Sequence, residues 1–338
     1  MSYNEKVENH KYVLQLQKLK VNTLKIIHIE QGNPYKKNMF PELVLALGFF
    51  DGVHLGHQQV IKAAVELASK KNRKSAVMTF HPHPSITLQR EPIQAYYMTP
   101  LEKKTKYIEE LGVDYLFIVN FSKEFAELTP QQFVDEYIIG LNVKDCIAGF
   151  DFTYGRLGKG TMETLPFHSR EEFTISVIEK KEFENEKVSS TRIRTLLQNG
   201  EVEELFPLIG RHYRMDGTVI HGDKRGRTIG FPTANIKLME PYLLPKVGVY
   251  GVKIFVKNEW YYGICNIGYK PTFYEKLDTP TIEVHLLNFD EDIYDEVVEV
   301  EWYFRIRDEQ KFSGIDSLKE QLQKDKKSAE QLFAEKKL

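Results

Sequence analysis

The sequence predicts two domains in series: an α/β domain built on a doubly wound parallel sheet, then a small antiparallel β-barrel closed by a C-terminal helix. Three observations carry this expectation. Short apolar runs alternate with helical stripes through the first half, the pattern of strands that helices bury on both faces. After Gly217 the helical period gives way to two-residue alternation over several short segments, as in antiparallel barrels. The chain has 338 residues, so two domains of roughly 150 residues each are expected rather than one core.

Composition narrows the function classes. Hydrophobic residues make up 42% and charged residues 28%, the balance of a folded globular protein. A net charge of −2 argues against a nucleic-acid-binding face spread over the whole surface, but leaves room for local basic pockets. Cys146 and Cys265 lie in different halves and give neither a disulfide framework nor a metal spacing, which fits a reducing cytoplasm. No apolar run approaches the roughly 18–20 residues of a membrane span, and no signal peptide is visible. Residues 1–22 are polar, and Leu14, Leu16, Leu19 and Val21 show no period; this extension has no evident role.

In chain order, Leu43–Gly48 is a continuous apolar run, expected as a buried strand. It leads into Gly48-Phe-Phe-Asp51-Gly52-Val-His54-Leu-Gly56-His57. Gln58–Lys70 then carries Val60, Ile61, Ala64, Val65 and Leu67–Ala68 as a helical stripe. The glycines and both histidines therefore fall at a strand-to-helix junction, where open α/β sheets bind ligands and a helix start favours anions. By residue type alone, histidines at i and i+3 could bind zinc, but most such pairs only cap and pack. Ala76–Phe80 is the next expected strand, ending in His81-Pro82-His83-Pro84. A helix over Pro100–Leu111, a strand over Tyr115–Asn120, a helix over Pro130–Gly140 and a strand over Cys146–Phe150 follow, the last ending in Asp151. Ser189-Ser190-Thr191-Arg192-Ile193-Arg194 opens a helix (Ile193–Leu197) that stops near Asn199-Gly200. Hydroxyls and a guanidinium there make an anion site, or an ordinary cap with surface arginines.

In the second half, Gly217–Asn235 packs Gly222, Gly226 and Gly230 with Lys224, Arg225 and Arg227 into one loop. Glycines let backbone N–H groups approach a phosphate, and the cations balance its charge. Pro232 fixes the backbone so that Thr233 and Asn235 can present oxygens to one point, as Mg²⁺ requires. By composition alone such a loop is usually a surface turn. Gly248–Val256 and Glu259–Asn266 read as strands joined by a turn at Lys257-Asn258. Thr281–Leu287 places Ile282, Val284 and Leu286 on one face and Glu283 and His285 on the other. Val298, Val300, Trp302, Phe304 and Ile306 line one face of a longer strand, with Glu299, Glu301, Arg305 and Arg307 opposite. Ser317-x-x-Glu320 reads as a capping box opening a final helix through Lys337, whose Leu318, Leu322, Ala329, Leu332 and Phe333 form the docking stripe.

The Gly48–His57 string together with Ser189–Arg194 resembles the paired signature of the nucleotidylyltransferase superfamily, which has a Rossmann-like fold. The resemblance implies that His54 and His57 hold ATP phosphates rather than a metal, with Gly48, Phe49, Asp51, Gly56, Ser190, Thr191 and Arg194 as further phosphate-side residues. Phe80-His81-Pro82-His83-Pro84 resembles the flavin-side loop of bacterial FAD synthetases, and Gly149–Gly155, with Asp151, resembles another segment of that family. Arg156–Gly160 keeps the glycines but departs from the family pattern in its charges. Gly226-Arg-Thr-Ile-Gly-Phe-Pro-Thr-Ala-Asn235 resembles the ATP–Mg²⁺ loop of riboflavin kinases. Asn266–Thr272, Glu283–Leu286 and Asp308–Phe312 resemble later segments of that family in the same order.

From this resemblance, Gly222, Lys224, Gly226, Arg227, Gly230 and Thr233 are expected at the ATP phosphates, with Thr233 and Asn235 on Mg²⁺. Glu283 is expected to face the primary hydroxyl of riboflavin as general base, and His285 to pack or hydrogen-bond beside it. The resemblance spans Leu24 to Asp325 and implies FAD synthetase chemistry in two steps. Residues 205–338 would phosphorylate riboflavin with ATP to FMN, and residues 23–204 would transfer AMP from ATP to FMN, giving FAD and pyrophosphate. The expected partners are small molecules, with no nucleic acid and no membrane. Two rivals stand beside it. One is a monofunctional paralogue, with Arg156–Gly160 making the adenylyltransferase the first suspect. The other is a non-catalytic flavin-responsive regulator, against which His54, His57, Thr233, Asn235 and Glu283 all count.

Overall fold

Burial on both faces of the central strands organises the first part of the chain. The structure, a computed structural model, describes residues 23–30, 32, 36–88, 96–222, 225–269 and 280–336. Expectations for residues 1–22, Lys224, Lys270–Thr272 and Lys337 lie outside these. The chain divides into two compact units. The first comprises Met1–Phe49, Gln59–Leu88 and Thr105–Ile178, and the second Phe50–Gln58, Gln89–Lys104 and Glu179–Leu338.

In the first unit, β1 (Lys25–Ile29), β2 (Leu43–Leu47), β3 (Lys74–His81), β4 (Tyr115–Asn120) and β5 (Val143–Gly149) join one parallel sheet. A short ribbon, β6 (Thr153–Tyr154) with β7 (Gly160–Thr161), follows, and β8 (Thr174–Ile178) completes the sheet in the order β1-β4-β3-β2-β5-β8. Every residue of β2 is buried, as its unbroken apolar run requires. The two strands of this sheet that the sequence reading did not anticipate, β1 and β8, are its edges. Both are largely exposed or half-buried, so neither carries a strong apolar pattern. The helix Leu55–Lys70 starts three residues before its expected apolar stripe, which puts Gly56 and His57 in its first turn. The expected helix at Pro130–Gly140 is a single α-turn, Pro130–Phe133, that widens to a π-turn over Val134–Ile138 and ends as a 3₁₀ turn at Ile139–Leu141.

In the second unit a hairpin, β9 (Glu182–Phe183) with β10 (Glu186–Lys187), precedes the helix Ser190–Asn199. Gly200 ends that helix at φ 83°, in the left-handed conformation glycine adopts freely. Six antiparallel strands then close a barrel: β11 (Tyr213–Ile220), β12 (Ala234–Leu238), β13 (Gly248–Val256), β14 (Glu259–Gly268), β15 (Thr281–Leu286) and β16 (Val297–Arg307). Their order is β11-β12-β15-β14-β13-β16, and β16 pairs back onto β11, so no edge remains open. Ile282, Val284, Val300 and Trp302 fill the interior with Met215, Ile236 and Ile254.

The final helix runs Ile315–Glu335. Its cap differs from expectation. Ser317 sits in the first turn and its hydroxyl accepts the Gly314 N–H at 3.2 Å, so the cap lies at Gly314 and Ser317-x-x-Glu320 is not the capping box. Ala329 and Phe333 pack on Val249, Tyr303 and Phe304, while Leu318 and Leu322 are only half-buried. Arg307 reinforces the docking with two hydrogen bonds, at 2.9 and 2.7 Å, to the buried Asp325 carboxylate.

Candidate functional site

The histidine loop is held in a backbone conformation that side chains seldom adopt. Phe50, Gly52 and Val53 have φ values of 55°, 89° and 39°. Only glycine takes such angles freely, and a β-branched valine does so at a cost its surroundings must offset. The His54 and His57 rings stack at 3.5 Å, and the edge of Phe50 meets His57 at 5.3 Å. His54 Nδ1 accepts the His57 backbone N–H at 3.2 Å, so the other nitrogen of a neutral His54 carries its proton. His57 Nδ1 is buried without a hydrogen-bond partner. Burial, then the positive charges of His54, Lys104, Lys187 and Arg211, hold the His57 pKa well below the usual histidine range. The ring is therefore neutral at pH 7 amid cations, a setting suited to an incoming anion.

Asp51, 3% exposed, ties this loop to two distant segments. Its carboxylate accepts the Thr99 N–H at 3.0 Å and pairs with the Arg194 guanidinium. Ser190 Oγ donates to the Asp51 carbonyl at 3.0 Å, and Arg194 also donates to the Tyr96 carbonyl at 3.2 Å. Thr191 is exposed one position further along the helix. Gly56 lies against the His54 ring, where an added Cβ would stand 3.2 Å away. Lys104, 1% exposed, is pushed down to about 8 by burial, with the Asp51 charge pulling the other way. Thr99, Lys104, Lys187 and Arg211 were not singled out from sequence. No local pattern marks them, although two successive lysines buried in an amphipathic helix are unusual.

In the first unit, Phe49 and His83 come together at the ends of β2 and β3, their rings in edge contact at 4.3 Å. Thr79 Oγ1 donates to the Phe49 carbonyl at 2.9 Å. His83 also caps the short helix Pro84–Thr87, its Nδ1 accepting the Ser85 N–H at 3.1 Å, with His81 and Pro82 just before it. Asp151 is exposed on the turn after β5. Phe49, grouped with the phosphate residues from sequence, thus has its ring on His83, a residue the resemblance placed in the expected flavin-side loop.

In the barrel, strand register brings the expected kinase residues together. Glu283 on β15 pairs with Asn235 on β12 on one side and with Asn266 on β14 on the other. Ile282 and Val284 point into the core, so Asn235, Glu283 and Asn266 share the outer face in one row. The glycines seat the loop above it. A Cβ on Gly222 would lie 2.2 Å from Asn235 Nδ2, and one on Gly226 would lie 2.2 Å from the Phe231 carbonyl oxygen. His285 Nδ1 meets the Pro232 carbonyl at 2.8 Å; a carbonyl only accepts, so the ring donates and pins the Pro-Thr-Ala-Asn corner. Beside this corner opens a cleft of about 360 Å³ whose walls include Arg227, Pro232, Thr233, Leu286, Phe289 and Tyr294. The Arg227 guanidinium lies 5.8 Å from the centre of the Tyr294 ring. Gly230, at φ 82°, turns the loop into that corner. Thr233 and Asn235 carry neutral oxygens, and among the described residues no cluster of three or more His, Cys, Asp or Glu side chains forms a metal cage. That donor set fits Mg²⁺, which keeps waters and takes phosphate oxygens rather than a full protein shell.

Two family models match the chain: FAD synthetase over residues 36–192 and riboflavin kinase over residues 209–333. Over 312 residues the chain is 52% identical to the bifunctional riboflavin kinase/FMN adenylyltransferase of Bacillus subtilis (strain 168), covering 92% of this chain and 99% of that protein. The chain belongs to this bifunctional family. The Listeria monocytogenes member is 48% identical over 291 residues, covering 86% of this chain and 92% of that one. A crystal structure described as a macrolide-efflux protein from Streptococcus pneumoniae has a TM-score of 0.80 at 35% identity, covering 90% of this chain and 98% of that one. Among the described residues of this chain no helix is long and apolar enough to cross a membrane. His54, His57 and Asp51 fall in the FAD synthetase match, and the Asn235–Glu283–Asn266 row falls in the riboflavin kinase match. Arg194 lies just beyond the first matched segment, although its guanidinium is held by Asp51 within it.

Proposed function

We infer that this chain makes FAD in two steps, phosphorylating riboflavin with ATP to FMN and then adenylylating FMN with ATP. The observation that carries this reading is that one chain holds both a neutral histidine pair set among cations and a glycine-rich corner beside the Glu283 row. We place the boundary between the two activities near residue 204, so that 23–204 serves adenylylation and 205–338 the kinase. The gap between the two family matches, after residue 192 and before residue 209, supports that placement. The free, buried Cys146 and Cys265 support a cytoplasmic location in this reading.

In the kinase step Glu283 accepts the proton of the riboflavin primary hydroxyl. The freed oxygen bonds to the γ-phosphorus as the bond to ADP breaks. In this reading Gly222, Gly226, Gly230 and Arg227 cradle the triphosphate, with Lys224 of the same loop. Thr233 and Asn235 would hold Mg²⁺, which supplies charge neutralisation on the phosphates when bound. In the adenylylation step an oxygen of the FMN phosphate attacks the α-phosphorus and pyrophosphate leaves, with no covalent enzyme intermediate. His54, His57, Ser190, Thr191 and Arg194 offset the charge of the ATP phosphates. Asp51 orients Arg194 rather than meeting phosphate, since a carboxylate would repel it. To the flavin we assign Phe49, His81, Pro82, His83 and Asp151.

Chromatography of flavins made with excess ATP and Mg²⁺ tests the whole reading. Riboflavin should give FMN and then FAD, and supplied FMN should give FAD. Accumulation that stops at FMN removes the adenylyltransferase half, and no product from either substrate removes both. A second measurement addresses the histidine site. Phosphate charge beside a neutral imidazole stabilises its protonated form, so the His57 pKa should rise on ATP binding. Binding should therefore take up a proton and strengthen as the pH is lowered below neutrality. Calorimetry in buffers of different ionisation enthalpy reads this uptake; none across the acid range in which the protein stays folded means His57 binds as a neutral donor.

A further inference from the structure

Besides the segments that Asp51 ties to it, the strained histidine loop is held by Ile209–Arg211. Arg211 donates through Nη2 to the Gly52 carbonyl at 2.6 Å and through Nη1 to the Val53 carbonyl at 3.1 Å. The same Nη1 reaches the Ile209 carbonyl at 3.1 Å. Gln58 Nε2 donates to both the Val53 and Ile209 carbonyls at 3.0 Å. Arg211 and Gln58 thus share two acceptors and close a ring around the residues that precede His54. Gly210, at φ 73°, lets the segment fit closely, since a Cβ there would lie 2.9 Å from Leu55 Cδ2. Gly52 and Val53 are two of the three loop residues with left-handed backbone, so these bonds fall where the conformation most needs support. Position 211 lies inside the riboflavin kinase match and outside the FAD synthetase match.

We infer that Arg211 is a positioning residue for the adenylylation step, contributed by the part of the chain that matches riboflavin kinase. The inference rests on the proposed role of His54 and His57 in that step. Arg211 touches no reacting atom in this arrangement. It fixes the carbonyls of Gly52 and Val53 and so the direction in which His54 and His57 leave the loop. Its charge also acts on His57. A planar guanidinium can span three carbonyls at once; a lysine ammonium, as a point charge on a flexible stem, cannot hold them in the same geometry.

The test compares full-length R211K, Q58M and H57A with the unaltered chain, measuring both steps in each. R211K is expected to lower kcat for FMN adenylylation at least tenfold with the KM for FMN little changed, and Q58M to lower it in the same direction by less. Riboflavin phosphorylation in the same R211K and Q58M molecules should stay within twofold, which reports that they remain folded. R211K with unaltered adenylylation overturns the inference if H57A has lost that step. If H57A also retains adenylylation, the histidine-site reading itself fails and takes this inference with it. Parallel loss of both steps in R211K and Q58M makes Arg211 a general structural residue and overturns its specific role.

Discussion

Glu283→Gln should abolish FMN formation from riboflavin while sparing FAD formation from supplied FMN. The substitution keeps shape and hydrogen-bonding capacity, so the row with Asn235 and Asn266 can persist and the barrel should fold unchanged. What it removes is the ability to accept a proton. General-base catalysis is worth roughly 10²–10⁴-fold, and a loss of that order in kcat, with riboflavin still bound, is the expected result. The readout is initial FMN production at saturating ATP, followed by FAD production from added FMN. Retention of FMN formation within about tenfold would mean that Glu283 orients the substrate and that the proton leaves by another route.

His57→Ala should do the reverse. FMN should still form from riboflavin, but FAD formation should fall by roughly 10²–10³-fold, the typical loss when one preorganised charge-stabilising group is deleted. Deletion of this ring removes an orphaned nitrogen rather than stranding a buried partner, so its cost to folding should be small. The stack on His54 is lost, however, and a thermal melt should accompany the assay. Each variant is the other's control, because the activity expected to survive reports on the fold of the same molecule. If either substitution removes both activities from a folded protein, the division of labour is wrong.

Much of the architecture was legible because burial leaves a local trace. The five apolar residues of β2 lie between two neighbouring strands, and a strand buried on both faces can tolerate little else. β13, β14, β15 and β16 were found by alternation, since a barrel wall is dry inside and wet outside. Edge strands β1 and β8 escaped because half-exposed backbone does not select for apolar side chains. β12 was hidden inside a loop read for its glycines and Pro232, and only its pairing to β11 and β15 reveals it as a strand. The cap of the last helix was misplaced by three residues because Ser317 fits either position in a capping pattern.

The sequence by itself determined the buried strands, the alternating barrel strands and the two successive family signatures, because each is written in a short stretch of residue types. Tertiary structure alone decided which of them meet. It set Asp51 on Arg194 and Thr99, turned the Phe49 ring to His83, buried Lys104 beside Asp51 and brought Arg211 to the carbonyls of the histidine loop. It also aligned Asn235, Glu283 and Asn266 across three strands. The physical reason is one of range. Periodicity records which face of a single element avoids water, whereas a shared site depends on register and close approach between segments far apart in the chain.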